Sequence, residues 1–408
     1  MQPERSEGVS RRTFVKSAAV AAAAAGTFPH FATGAENDKV IKVGVVGCGG
    51  RGTGAAHNAM DASKHVRITA IADLYQDRLD NAKKQLSGRG EIKHSFLGFD
   101  GFQKVCDTDV DYVILATPPY YRPEHMTACV KAGKHVFCEK PVAVDPVGIR
   151  RFMAAGEAAK KKGLSIVAGT QRRHQNGYVQ TMQLIHKGAI GKIVSAQCYW
   201  NGGQLWYKTR EPGWSEQEWM HRDWVNWTWL SGDHIVEQHV HNLDIINWAI
   251  GTHPTKVVAM GARHRRVTGN QFDCFSADYE YPDNVHVHSM CRQISGCVNN
   301  VSERVMGTEG VSNCNGWLST FGQLRFEGEN PYVQEHKDLI AAMQSEPLNE
   351  AQNVAESTLT AIMGRISAYT GKEVTWDEVM KSDLVLGPPS YELSEANIRE
   401  DIATPGTA

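Results

Sequence analysis

Two kinds of apolar pattern divide the chain. Val40-Ile41-Lys42-Val43-Gly44-Val45-Val46 is a short, β-branched run suited to a strand buried on both faces, and Val66 to Ala72 repeats it. Further apolar runs at 110–115 and 135–138 bracket a helical pattern from Pro123 to Ala132. Strands alternating with helices predict a parallel, doubly wound α/β sheet, which binds ligands beyond the carboxyl ends of its strands. Two segments land there: Ala116-Thr117-Pro118-Pro119 and Glu139-Lys140-Pro141. Past residue 160 the rhythm changes to strand-like runs at 192–200, 255–267, 272–281, 285–293 and 297–306.

Ahead of the first strand, Ser10-Arg11-Arg12-Thr13-Phe14-Val15-Lys16 has the form of a twin-arginine export signal. The alanine-rich Ser17 to Gly26 that follows is far shorter than the ~20 apolar residues of a membrane span. Thr33-Gly34-Ala35 offers a cleavage site. The expectation is a leader over 1–35 read by the twin-arginine translocation machinery, and a mature chain that is exported, periplasmic and without a membrane span. Roughly 370 residues then remain, more than one core sustains, so two domains are expected, 36–160 and 161–385, with a tail at 386–408. A net charge of −2 with both signs interspersed argues against nucleic acid or a membrane surface as partner. Nine cysteines without CxxC spacing indicate neither a zinc cluster nor a disulfide framework. Pairing of Cys291 with Cys297 is disfavoured, because folding before export takes place in a reducing compartment.

Gly47-Cys48-Gly49-Gly50-Arg51-Gly52, directly after the first strand, fits a dinucleotide fingerprint. Gly47 permits the tight turn and Gly49 lets the backbone approach a pyrophosphate. Gly52 lets the next helix pack closely with its N-terminal amides facing the phosphates; Gly50 and Arg51 belong to the same loop. Asp73, twenty-one residues past Gly52, stands where an acid accepts hydrogen bonds from the adenosine ribose and repels a 2′-phosphate. NAD is therefore expected over NADP, although Arg78 blurs the choice; capping of the helix near Tyr75 is the structural alternative for Asp73. An exported protein should fold around its nucleotide first and retain it.

Three groups of residues could act on a substrate. Lys140 follows a buried strand and precedes a proline, which would set it beside a nicotinamide; a surface pair with Glu139 is the plainer reading. Glu237 and His241, four apart on a helix running to Gly251, would share a face, the carboxylate orienting the imidazole. Three histidines and a glutamate in this segment could instead bind metal, but HExxH spacing is missing and no metal is expected. Between Tyr199 and Trp229 lies an aromatic segment without clear period, read as a long loop. Its Trp206, Tyr207, Arg222 and Asp223 suit the faces and hydroxyls of a sugar, while a packed lid or a subunit interface would use the same residue types.

The glycine fingerprint, Glu139-Lys140-Pro141 and the Glu237-to-His241 segment together resemble the Gfo/Idh/MocA oxidoreductase family. The similarity runs from Lys39 to Ser382 and includes Ala168-Gly169-Thr170-Gln171-Arg172-Arg173-His174 and the stretch from Ala361 to Trp376. The resemblance implies a Rossmann domain followed by an α/β domain with an open, mainly antiparallel sheet. One face of that sheet would serve substrate and the other a homodimer or tetramer. It further implies a cis Lys140–Pro141 bond, Lys140 near the nicotinamide and His241 as acid/base, with Asp244 closing the histidine motif. Thr117, His125 and Glu139 would lie near the cofactor, and Arg173 and His174 near the substrate. Glu237 occupies a place where inositol dehydrogenase-like members carry aspartate, which leaves the proton path open.

The resulting expectation is an NAD-dependent oxidoreductase acting on a secondary alcohol of a sugar or glycoside, with Lys140, His241 and Glu237 in catalysis. An NAD-dependent glycosidase that oxidises transiently is the alternative. A non-catalytic sugar- or nucleotide-sensing module is a third reading.

Overall fold

The computed structural model describes residues 39–388 and 401–407. The expected leader, with Arg11 and Arg12, and much of the expected tail lie outside the described residues.

Six parallel strands form the first sheet: β1 (Ile41–Val46), β2 (Val66–Asp73), β3 (His94–Leu97), β4 (Tyr112–Leu115), β5 (His135–Cys138) and β6 (Ile166–Ala168). Their order is β3-β2-β1-β4-β5-β6, so the winding reverses between β1 and β4 and opens a crevice at their carboxyl ends. The helices α1 (Gly50–Ala62), α2 (Gln76–Leu86), α3 (Gly101–Cys106), α4 (Arg122–Lys131) and α5 (Pro146–Lys161) connect them. Val43, Val45, Val113, Ile114 and Phe137 are wholly buried, as β-branched and aromatic residues must be in a sheet covered on both sides.

Two glycines of the fingerprint are sterically required. Gly47 has φ +93°, and a Cβ there would stand 2.6 Å from the Thr117 backbone nitrogen. A Cβ on Gly52 would stand 1.8 Å from the Gly47 carbonyl oxygen, so any side chain would push α1 off the end of β1.

The second sheet has nine strands. Its long members are β7 (Ile193–Gly202), β8 (Lys256–Ala262), β9 (Cys274–Tyr281), β10 (Val285–Gln293) and β11 (Asn300–Gly307), close to the strand-like runs read from the sequence. Short strands β12 (Val311–Ser312), β13 (Trp317–Leu318), β14 (Gly322–Gln323) and β15 (Val374–Thr375) complete the order β14-β13-β12-β11-β7-β10-β9-β8-β15. Only β7 and β10 pair in parallel; the other pairs are antiparallel. Along β10, Val285, Val287, Ser289 and Cys291 face inward while His286 and His288 are exposed, the alternation of a sheet with one covered face. Cys291 is a buried thiol and Cys297 an exposed one, and neither forms a disulfide.

The remaining helices are α6 (Asn176–His186), α7 (Glu216–Arg222), α8 (Thr228–Ser231), α9 (His234–Glu237), α10 (Val240–Ile250), α11 (Pro331–Ala342), α12 (Ala351–Thr370) and α13 (Trp376–Lys381). The described residues from Val40 onward belong to one compact unit, and a continuous apolar core draws residues from both sheets and from α12. The expected boundary at 160 falls inside α5, and α11 returns to the first sheet, packing on α1 with Leu339 in the core beneath β1. Among the described residues no helix is long and apolar enough to cross a membrane.

Two local expectations need correction. The 199–229 stretch is not a plain loop: it contains α7, begun by Ser215, whose Oγ accepts a hydrogen bond from the Glu218 backbone N–H at 3.1 Å, and α8. The single helix expected from Ile235 to Gly251 is two, α9 and α10, separated by a turn at Gln238–His239.

Candidate active site

The glycine loop, the end of β2 and the Thr117 loop enclose a cavity of about 430 Å³. Gly49 and Gly50 border open space, the nearest heavy atom to a Cβ on Gly49 being Arg78 Nη1 at 3.9 Å. The first N–H groups of α1 therefore face a void large enough for part of a dinucleotide. Asp73 lies on its wall: Oδ2 accepts the Cys48 N–H at 2.7 Å and Oδ1 the Tyr75 N–H at 3.1 Å. These bonds brace the turn rather than cap α2, whose N-cap is Tyr75. Burial raises the Asp73 pKa above the usual carboxylate value, with the two backbone bonds opposing it. Thr117 and His125 stand on the opposite wall, Oγ1 and Nδ1 3.2 Å apart. Burial, followed by the Arg122 charge, depresses His125 to about 3, so its ring is neutral.

Lys140 is preceded by a buried strand and joined to Pro141 by a cis bond, in agreement with the resemblance. Its Nζ donates to the Glu237 carbonyl at 2.5 Å and to Glu237 Oε1 at 3.0 Å, both side chains being nearly enclosed. The turn after α9 makes this possible, for His241 N donates to the Gln238 carbonyl and the Glu237 carbonyl is left to the lysine. Glu237 thus pairs with Lys140, not with His241, as a continuous helix would have had it. His241 stacks on Trp200, ring centroids 5.8 Å apart. Burial, then the charges of Lys140, Arg172 and Arg51, push its pKa well below the ordinary value, leaving a neutral imidazole beside an ammonium. His239 points elsewhere: Nε2 lies 2.7 Å from Ser289 Oγ in the core.

Glu139 turns away from Lys140 and receives Arg51 Nε at 2.5 Å, while Arg51 Nη2 reaches Glu335 at 3.2 Å. Arg51 so ties the glycine loop to β5 and to α11. Arg122 was not singled out from the sequence. Its buried guanidinium donates to the carbonyls of Thr117 (2.9 Å), Glu139 (2.9 Å) and Pro141 (2.6 Å), clamping together the two loops that carry Thr117 and Lys140. An arginine at the start of a helix that begins beside a sheet's ligand edge was the available signal.

The residues expected at the substrate scatter. Arg173 makes a two-pronged pair with Asp244, Nε to Oδ2 at 2.9 Å and Nη2 to Oδ1 at 2.9 Å, and Ser357 Oγ donates to the same carboxylate. His174 is held between Asp338 (2.5 Å) and Glu350 (3.3 Å). Although burial disfavours its charge, the two carboxylates prevail and raise its pKa to about 10. Both residues are engaged internally. Asp223 is buried and accepts the Lys208 N–H at 2.7 Å and Asn226 Nδ2 at 2.8 Å, whereas Tyr207 is exposed. Trp206 and Arg222 line the same cavity as Gly47 and Asp73. The cavity wall does not include Lys140 or His241, so the void maps the nucleotide end of the crevice and the two candidate acid/base groups stand outside it. Among the described residues no group of three or more His, Cys, Asp or Glu side chains has metal-holding geometry.

Residues 41–170 match the oxidoreductase family with the NAD-binding Rossmann fold, and residues 178–312 match the GFO/IDH/MocA C-terminal domain. These matches span more than half of the chain, which belongs to the Gfo/Idh/MocA family. The chain is 32% identical over 224 residues to inositol 2-dehydrogenase 1 of Saccharopolyspora erythraea, covering 55% of this chain and 58% of that protein. It is 30% identical over 246 residues to 2,7-anhydro-N-acetylneuraminate hydratase of Escherichia coli, covering 60% and 59%. The chain spans about half the length of the curated relatives it matches. Scyllo-inositol dehydrogenase of Lactobacillus casei, solved with NAD(H) and scyllo-inositol, shares the fold at a TM-score of 0.64 and 20% identity, over 83% of this chain and 99% of that one.

Proposed function

We propose that the protein is an NAD(H)-dependent oxidoreductase acting on a secondary alcohol of a sugar, ring polyol or glycoside. The observation that carries this reading is Lys140 at the carboxyl end of β5, held by Glu237 four residues ahead of His241, in a sheet whose glycine loop faces an open cavity. Gly47, Gly49, Gly50, Arg51, Gly52, Asp73 and Thr117 would hold the dinucleotide, whose bound nicotinamide supplies hydride acceptance and return. An alcohol losing hydride must also lose its hydroxyl proton. A neutral imidazole can take that proton, and the Lys140 ammonium beside it stabilises the oxygen as charge develops. Glu237 holds Lys140 from two sides, so its role is to fix the ammonium. The names of the inositol dehydrogenase relatives favour a polyhydroxylated ring as substrate.

Anaerobic incubation of the purified protein with NAD and a panel of inositols, aldoses and aryl glycosides tests this. Absorbance at 340 nm should rise with at least one ring alcohol, and no rise with any would remove the dehydrogenase reading. The hydratase relative supports a second reading, in which oxidation is transient and a bond is broken without net redox change. That reading gains if an aglycone or hydrated product accumulates while the nicotinamide absorbance returns to its starting value.

The Ser10 to Lys16 pattern supports export to the periplasm by the twin-arginine route. The uncovered face of the second sheet, with Met260 73% exposed and Val258 54% exposed, supports a homodimer or tetramer.

A further inference from the structure

The tryptophan-rich segment contains two populations. Trp227 and Trp229 join Met220 and Leu230 in a core of their own. Trp206 does not, and Trp224 packs only on its edge: the two stand edge to face, centroids 6.4 Å apart, on the wall of the nucleotide cavity, with Trp206 48% exposed. Lys208 and Arg222 line the same cavity.

A latch pins this segment to the turn that carries Asp73. The Arg222 guanidinium sits over the Tyr75 ring at 3.9 Å, with Trp214 at 5.0 Å. It also pairs with Glu218 at 2.9 Å and Asp77 at 3.6 Å, and the Tyr75 hydroxyl reaches the Glu218 carbonyl at 3.5 Å. The segment comes from beyond residue 200, yet it closes on the β2–α2 turn, at the adenosine end of a dinucleotide fold.

We infer that the 204–229 segment is the outer wall of the cofactor site and holds the adenosine half of NAD, rather than forming the sugar pocket its composition suggests. Indole faces and fixed cations are the groups an adenine ring and a ribose–phosphate backbone call for. A nucleotide so enclosed leaves only when the Tyr75–Arg222 latch opens, which supplies a physical basis for a retained cofactor. The inference rests on nucleotide occupancy of this cavity and is independent of which alcohol is oxidised.

Titration calorimetry of the mature chain, freed of bound nucleotide by dialysis, tests it with three probes: NAD, ADP-ribose and nicotinamide mononucleotide. In Trp206→Ala, NAD and ADP-ribose should weaken at least tenfold and the mononucleotide stay within twofold; Trp206→Phe should recover most of the loss. In Arg222→Ala, bound NAD should be released at least tenfold faster after dilution. NAD affinity within twofold of the parent in Trp206→Ala, or equal weakening of the mononucleotide, overturns the assignment. If the parent chain itself binds no NAD, this inference and the cofactor reading fail together; if it binds NAD and the variants are indifferent, only this inference falls.

Discussion

Arg122 offers the sharpest test of how the fold builds the site. Its guanidinium is buried, and its three hydrogen bonds all run to backbone carbonyls of the loops ending β4 and β5. Hydrogen bonds to a charged group are each worth about 1.5–3 kcal/mol net, and they are not additive. Replacing Arg122 with Met keeps most of the apolar stem but withdraws all three donors from a site closed to water, so the expected loss of stability is about 3–5 kcal/mol. Arg122→Lys can serve some of those carbonyls and should lose about half as much, an expectation that follows from the lysine's three donors lacking the planar fork. Urea unfolding of the two variants beside the parent measures both values. Loss of the clamp should also weaken NAD binding, since the Thr117 and Lys140 loops no longer hold a common position. A midpoint for Arg122→Met that corresponds to less than ~1 kcal/mol of destabilisation would refute the clamp, because a surface substitution costs no more than that.

Four other outcomes are expected. His241→Asn and Lys140→Ala should each slow reduction of bound nucleotide by sugar at least ~100-fold while NAD remains bound, as single-turnover absorbance would show; unchanged rates exclude the residue. The acid limb of kcat/KM should lie well below pH 6.5, because His241 is already neutral there; a limb at the ordinary histidine value contradicts the burial argument. Asp73→Ser should lower the preference for NAD over NADP by at least ~10-fold in binding titrations, since a half-buried carboxylate on the cavity wall repels the 2′-phosphate. His125, His239 and His336 are depressed to about 3 and His221 to about 4, so below the unfolded value of ~6.5 the unfolded chain gains protons that the fold refuses. Together they destabilise the fold as pH falls from 7.5 to 5, offset in part by His174, whose raised pKa favours the fold over the same range; equal urea midpoints at the two pH values would contradict the burial of these rings.

The first sheet was legible because its signals are local. A buried parallel strand reads as an unbroken β-branched run, and Gly47 and Gly52 occupy positions where the structure leaves no room for a Cβ. The second sheet's strands were legible for the same reason, through alternation such as that of β10. What escaped the sequence depends on contacts between distant segments. Glu237 and His241 have helical spacing, but His239 is drawn into the core by Ser289, fifty residues on, and the turn this makes gives Glu237 to Lys140. The resemblance places Arg173 and His174 near the substrate, and their pairing with Asp244, Asp338 and Glu350 depends on segments far apart in the chain. The destination of Arg222 depends on Tyr75 and Asp77, more than a hundred residues earlier. Helix α7 is a different case: the Ser215 cap with Glu218 three residues on was readable, and the density of tryptophans obscured it.

In the proposed reaction the Lys140 amine and the His241 imidazole flank the reacting carbon at the mouth of the nucleotide crevice. A crystal structure of the NAD-loaded protein with a ring polyol measures this directly. The substrate hydroxyl should lie within about 2.6–3.2 Å of His241 or Lys140 Nζ, with its carbon facing the nicotinamide. A polyol seated away from both side chains, or a nicotinamide turned out of the crevice, would contradict it.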